Sequence, residues 1–179
     1  MLSLQDLGPR IALLGPSNAG KSTLALALGE KLQVPVVHLD QLNHTPHTDW
    51  VPRPKAEFTA LHEDAIAGES WVIEGNYSRL VPRRFERATG AILITSSAWL
   101  RLGRYVRRTL NRSAPRAGTV EGAPEYLKWE MVDWILFKTP ANAKRYAQQI
   151  KESDLPAVFC DTRQALNDLY LAWDLRRPG

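Results

Sequence analysis

The sequence predicts an α/β protein built on a parallel sheet, and three observations predict it. Short apolar runs alternate with helical patterns along the chain. Those runs have no polar face, as strands covered by helices on both sides require. One strand-to-helix junction carries GPSNAGKST, Gly15 to Thr23. Strands that alternate with helices form a three-layer sheet with right-handed crossovers.

In order, residues 10–14 (RIALL) read as the first strand and 21–32 as a helix. VPVVHL, 34–39, is the second strand. Residues 41–54 read as irregular, with three prolines, two histidines and Trp50. A helix over 55–67 is closed by Gly68. Strands follow at 71–74, 91–95 and 157–160, and helical patterns at 99–112, 124–151 and 164–174. The least structured stretch is SAPRAGTVEGA, 113–123, whose small residues suit a mobile loop. Five of the six tryptophans, Trp71, Trp99, Trp129, Trp134 and Trp173, are expected in core packing.

The chain has 179 residues, 44% of them hydrophobic and 23% charged, which fits one domain spanning 1–179. No apolar run has the length of a membrane span, and no basic segment precedes a signal-like apolar core. One cysteine, Cys160, cannot form an internal disulfide. A cytoplasmic location without membrane contact is therefore expected. The net charge of +4 suits an anionic ligand and permits nucleic acid without requiring it.

The junction explains the anion. Gly15-x-x-x-x-Gly20-Lys21-Ser22 is the spacing of a phosphate-binding loop. Its glycines let the loop of Gly15, Pro16, Ser17, Asn18, Ala19 and Gly20 curl so that its N–H groups, which every member but Pro16 carries, surround an anion at a helix N-terminus. Lys21 would reach the β- and γ-phosphates, Ser22 would ligate Mg²⁺, and Thr23 would support the first helical turn. The plainer alternative is a glycine-rich turn capped by a hydroxyl; a chance match to the full pattern is about 1% at background composition.

Ligands of such sheets bind at the carboxyl ends of the strands. Asp40 follows the second strand and would orient an acceptor hydroxyl, take its proton, or hold Mg²⁺ through water; otherwise it is a helix cap or loop carboxylate. Glu74 ends the third strand and is either a Mg²⁺-water ligand or half of an ion pair. Asn76, Arg79, Arg53 and Trp50 are candidates for acceptor contact. His38, His44 and His47 match no zinc spacing. Six arginines and no acid lie between Arg101 and Arg116. Arg101, Arg104, Arg108 and Arg112 share one helical face, so a compensating anion is expected, although Arg101 and Arg112 have the plainer alternative of facing water.

LLGPSNAGKSTLALAL, HLDQL, WVIEGNYS and WLRLGRYVRRTLNR, in that order, resemble the adenylate-kinase-like P-loop kinases, and within them the bacterial group labelled DNA topology modulation proteins. The resemblance covers about residues 10–171. It implies a P-loop NTPase of nucleotide-kinase type with strand order 2-3-1-4-5, a helical acceptor insert at about 41–68 and a lid at about 112–123. It implies ATP and Mg²⁺ as cofactors, with catalysis by Lys21, Asp40, Arg104 and Arg108. Arg104 would stack on adenine, Arg108 would contact the triphosphate, and Thr162 and Arg163 would border the base. Adenylate kinase's Asp-Gly-Phe-Pro-Arg segment is replaced here by Glu74-Gly75-Asn76-Tyr77, so its monophosphate recognition does not carry over. The expected activity is phosphoryl transfer from ATP to a small molecule: a nucleoside, nucleotide or metabolite. The alternative is an ATP-binding regulatory module that contacts nucleic acid through 101–116. Only Tyr105 interleaves with those arginines, which favours the kinase.

Overall fold

The computed structural model describes residues 2–110, 118–123 and 127–178, without the side chains of 108 and 137–141. Five strands, β1 (Arg10–Leu14), β2 (Val36–His38), β3 (Trp71–Glu74), β4 (Gly90–Ile94) and β5 (Ala157–Cys160), form one sheet in the order β2-β3-β1-β4-β5. Every pairing is parallel. The helices are α1 (Lys21–Leu32), α2 (Leu39–Asn43), α3 (Lys55–Ala67), α4 (Val81–Arg87), α5 (Ala98–Leu110), α6 (Trp129–Asp133), α7 (Thr139–Glu152) and α8 (Arg163–Ala172). A π-helical turn, Trp134–Lys138, joins α6 to α7.

The period-two alternation of a strand divides the core in two. Ile11 and Leu13 of β1 pack with Leu24 and Leu28 of α1 and Leu166, Leu169 and Tyr170 of α8. Ala12 and Leu14 point the other way, with Leu39 of α2, Ile66 of α3, Val81 of α4 and Tyr146 and Ile150 of α7. These strands are buried on both faces, which is why they read as continuous apolar runs rather than as alternating ones.

Three departures from the sequence reading stand out, besides shifts of one or two residues at the ends of β4 and α8. The second strand is only Val36–His38, and Leu39 opens a short helix where irregular chain was expected to follow at 41. The helical pattern of 124–151 is broken into α6, the π turn and α7. Helix α4, which starts with proline in its first turn, was not foreseen. The tryptophans also divide: Trp71 and Trp173 are core residues. Trp99 (75% exposed), Trp129 (77%) and Trp134 (42%) are at the surface. Apolar character alone does not distinguish a core tryptophan from one on an outward helix face.

Among the described residues, no helix is long and apolar enough to cross a membrane.

Candidate active site

The turn from β1 into α1 has the backbone that the glycine spacing requires. Gly15 has φ 145°, and a Cβ there would overlap the Ile94 carbonyl oxygen of β4. Asn18 (φ 62°) and Gly20 (φ 107°) are also left-handed. Gly20 is the N-cap of α1, and no side chain caps that end. The helix therefore presents its first-turn N–H groups and the positive end of its dipole to the loop's hollow. Lys21 Nζ donates to the Pro16 carbonyl at 3.1 Å. The Asn18 Nδ2 atom is buried without a partner, a donor that an anion or a base edge can use.

Register builds the next group. His38 and Glu74 are paired across β2 and β3, and Leu13 of β1 is paired with Glu74 on the other side. The three strands thus end together beside the loop. Glu74 Oε1 lies 3.0 Å from Ser22 Oγ and 2.9 Å from His38 Nδ1. Burial raises the Glu74 pKa, but the His38 hydrogen bond, the Lys21 charge and Ser22 outweigh it and hold the carboxyl below its ordinary value. Glu74 is therefore an ionised acceptor, with Ser22 and His38 both donating to it. A serine hydroxyl beside an ionised carboxylate is a donor set that suits a hard cation.

Asp40 lies in the first turn of α2 and is exposed. Its Oδ1 accepts the Tyr77 hydroxyl at 2.6 Å, while its backbone carbonyl accepts the His44 N–H at 3.1 Å. No side-chain cap bond forms at this helix end, so the cap alternative does not apply. Burial, then the Asp40 and Glu74 charges, push the Tyr77 pKa up, so its phenol stays a donor. Tyr77 (φ 43°) leaves the β3 turn in a left-handed conformation and packs edge-on against Phe58 of α3 at 4.8 Å.

That turn is held from beneath. Arg84 of α4 is completely buried and donates to the carbonyls of Gly75 (2.6 Å) and Asn76 (3.1 Å). Burial lowers its pKa to about 10, which keeps it charged at neutral pH. Its Nε faces His62 Nε2 at 3.5 Å, and burial followed by the Arg84 charge lowers the His62 pKa to about 4. Asn76 Oδ1 accepts the Gly15 N–H at 3.1 Å, tying the turn to the phosphate loop. Asn76 is thus a loop support here.

The other acceptor candidates have partners of their own. Arg53 pairs with Glu57 at 2.9 Å, and Arg79 donates to Thr59 Oγ1 at 2.9 Å. Trp50 is half-buried, edge-on to His44 at 5.2 Å. The three histidines part company: His38 goes to Glu74, His44 to Asp40 and Trp50, and His47 to Glu121 at 3.6 Å.

Of the arginine run, Arg104 reaches the loop, donating to the Asn18 (3.2 Å) and Ala19 (3.0 Å) carbonyls. Burial, then the neighbouring Arg163 and Arg177 charges, lower its pKa. Arg163 and Arg177 are near enough to Arg104 to repel its charge, a repulsion that an anion beside Arg104 would relieve. Arg101 does not face water. It is 2% exposed and donates to the Ser96 (3.2 Å) and Ile135 (3.0 Å) carbonyls, fastening α5 to the π turn. Thr162 is committed to capping α8, its Oγ1 accepting the Ala165 N–H at 3.0 Å. Arg163 lines a groove with Asn167, Tyr170 and Arg177. The Arg108 side chain and residues 112–117 of the expected lid lie outside the described residues.

The described part of that segment, 118–123, lies against the strand ends. Gly118 is left-handed (φ 74°), and a Cβ there would stand 2.9 Å from His38 Nδ1, 3.0 Å from Glu74 Oε1 and 3.1 Å from Ser22 Oγ. The Thr119 carbonyl accepts Gln41 Nε2 at 3.0 Å, and the Glu121 carbonyl accepts the His47 N–H at 2.7 Å.

Sequence reasoning missed Tyr77, Arg84 and the service of His38 to Glu74. A tyrosine in a turn and an arginine in a charged helix look like surface residues. The strand-end position of His38, two residues before Asp40, was the available signal.

No family model and no curated protein sequence matches the chain. Among solved structures it is similar to a shikimate kinase from Acinetobacter baumannii in complex with shikimate. The identity is 16%, covering 94% of this chain and 95% of that one, with a TM-score of 0.59. A gluconokinase from Sinorhizobium meliloti 1021 (17% identity, 81% and 99% covered, TM-score 0.45) and a shikimate kinase from Bacteroides thetaiotaomicron (18%, 93% and 99%, 0.46) align more loosely. With its parallel sheet in the order 2-3-1-4-5 and helices on both faces, the chain has the three-layer P-loop fold of the nucleotide-kinase type, the fold of the A. baumannii enzyme.

Proposed function

We propose that this chain is an ATP-dependent kinase that transfers the γ-phosphoryl group to a hydroxyl of a small molecule. The observation that carries the reading is the Asp40 carboxylate, held by Tyr77 just beyond β2, the strand whose last residue, His38, bonds Glu74 beside Ser22 of the phosphate loop. A hydroxyl acceptor needs such a base or orienting group. A phosphate acceptor needs unengaged cations, and here Arg53, Arg83 and Arg84 are bound to carboxylates or carbonyls. Arg79, on a neutral threonine, is the least engaged.

The division of labour follows from position. The loop amides of 17–20 and Lys21 hold the phosphates. Ser22 and Glu74 would hold Mg²⁺, which supplies neutralisation of phosphate charge. Arg104, and Arg108 one helical turn on, serve the nucleotide, with Arg163 beside the base. Trp50 and Arg79 border the acceptor, and the insert (41–68) and lid (112–123) close over it, excluding water that would otherwise take the phosphoryl group. The buried Cys160 thiol, its pKa pushed up by burial to about 11, suits a reducing cytoplasm.

Asp40→Asn keeps the shape and the Tyr77 hydrogen bond but removes the proton acceptor. Turnover with a hydroxyl acceptor should fall roughly 10²–10⁴-fold while ATP affinity is unchanged. Steady-state kinetics with separate ATP calorimetry measures both, and unchanged turnover would remove Asp40 from the reaction.

A further inference from the structure

We propose that His38 is a positioning residue for the cation-binding carboxylate: its Nδ1–H, together with the Ser22 hydroxyl, fixes Glu74 by one oxygen. The ligand named here rests on the kinase reading above; the geometry does not. His38 (7% exposed) and Glu74 (4%) are both buried, side by side at the ends of paired strands. The β2–β3 register that places them there sets every other side chain of β2, and a slip of one residue would turn His38 to the opposite face. Both donors converge on Oε1, at 2.9 Å from His38 and 3.0 Å from Ser22. Among the described side-chain bonds, Oε2 takes neither of these, so the carboxylate has one anchored oxygen and one for the cation or its water.

The anchoring has a purpose that Ser22 alone does not serve. A cation that takes the Ser22 hydroxyl as a ligand uses an oxygen lone pair and leaves its O–H to Glu74, but that bond then moves with the cation. His38, which donates from the β2 side and is no ligand, holds the carboxylate independently of the cation. Gly118 completes the enclosure, since only a residue without a side chain fits against all three groups. His38 touches neither nucleotide nor acceptor in this account; it acts through Glu74. Removing such a supporting partner typically weakens metal binding about 10–100-fold.

The test uses an isosteric pair. His38→Asn keeps an N–H donor close to the Nδ1 position; His38→Leu has the same branching and no donor. The readout is calorimetric affinity for a non-hydrolysable ATP analogue, with Mg²⁺ and with chelator, whose ratio reports the cation's contribution without turnover. The wild type should bind the analogue more tightly with Mg²⁺. His38→Leu should lose about tenfold or more of that ratio at unchanged affinity in chelator, His38→Asn should retain most of it, and adding His38→Leu to Glu74→Gln should cost nothing further. A wild-type ratio kept by His38→Leu, or lost equally in both variants, would overturn the proposal. If His38→Leu does not fold, His38→Asn decides: loss of its ratio overturns the proposal, and retention supports it. Failure of the wild type to bind the analogue at all would instead overturn the nucleotide reading.

Discussion

Lys21 places its single charge at the hollow of the loop, where in this structure it rests on the Pro16 carbonyl. Phosphate would replace a neutral partner by an anionic one, adding ion-pair attraction to a bond whose donor is already charged. Lys21→Ala should therefore cost about 2 kcal/mol or more of ATP binding or transition-state stabilisation. Calorimetry with ATP·Mg²⁺ checks this, and equal affinity with equal turnover would contradict the loop assignment. His62 supplies a second test at this scale. It is buried and neutral, with a pKa lowered to about 4, whereas an unfolded histidine binds its proton below about 6.5. The unfolded state thus holds more protons between those values, so stability falls as pH drops from 6.5 towards 4 and is insensitive to this group above 6.5. His62→Gln, which can still accept from Arg84, should reduce the stability loss between pH 7 and pH 5 by about 2 kcal/mol in urea unfolding. An identical loss in the two proteins would show that His62 is not the group responsible.

At the scale of elements, the strand ends and the turns after them make the site, and they were unequally legible. The loop from Gly15 to Ser22 could be read because its backbone demands glycine at fixed spacing. The α1, α3, β1, β3 and β5 boundaries could be read because apolar runs end there in glycine, proline or charge. The turn after β3 could be placed from Gly75-Asn76-Tyr77, but what holds it could not. Its shape depends on Arg84, ten residues beyond Glu74, through bonds to two carbonyls that leave no pattern in the sequence. The same holds for Arg101, whose spacing grouped it with solvent-facing or anion-facing arginines while its partners are carbonyls of Ser96 and Ile135. Arg84→Leu should destabilise the protein by about 3 kcal/mol, since it strands two carbonyls in the interior. It should also release Asn76 and Tyr77, lowering turnover by more than the fraction unfolded explains. Urea unfolding and kinetics on the same samples separate the two effects. A stable variant with normal turnover would show that the turn holds itself.

For the whole molecule, the alternation of strands and helices predicts a parallel three-layer sheet, the resemblance to the adenylate-kinase-like P-loop kinases implies the order 2-3-1-4-5, and the structure has that order. What the linear pattern leaves open is the acceptor, because segments distant in the chain meet beside the strand ends: the Gln41 side-chain amide donates to the Thr119 carbonyl, and the His47 backbone N–H to the Glu121 carbonyl. The most direct measurement is ADP formation from ATP·Mg²⁺ across a panel of hydroxyl-bearing and phosphate-bearing small molecules, run in parallel on the wild type and on Asp40→Asn. The account predicts that at least one hydroxyl compound raises ADP formation above the hydrolysis background, and that Asp40→Asn abolishes the rise. Stimulation by phosphate-bearing acceptors alone, undiminished in Asp40→Asn, would contradict it.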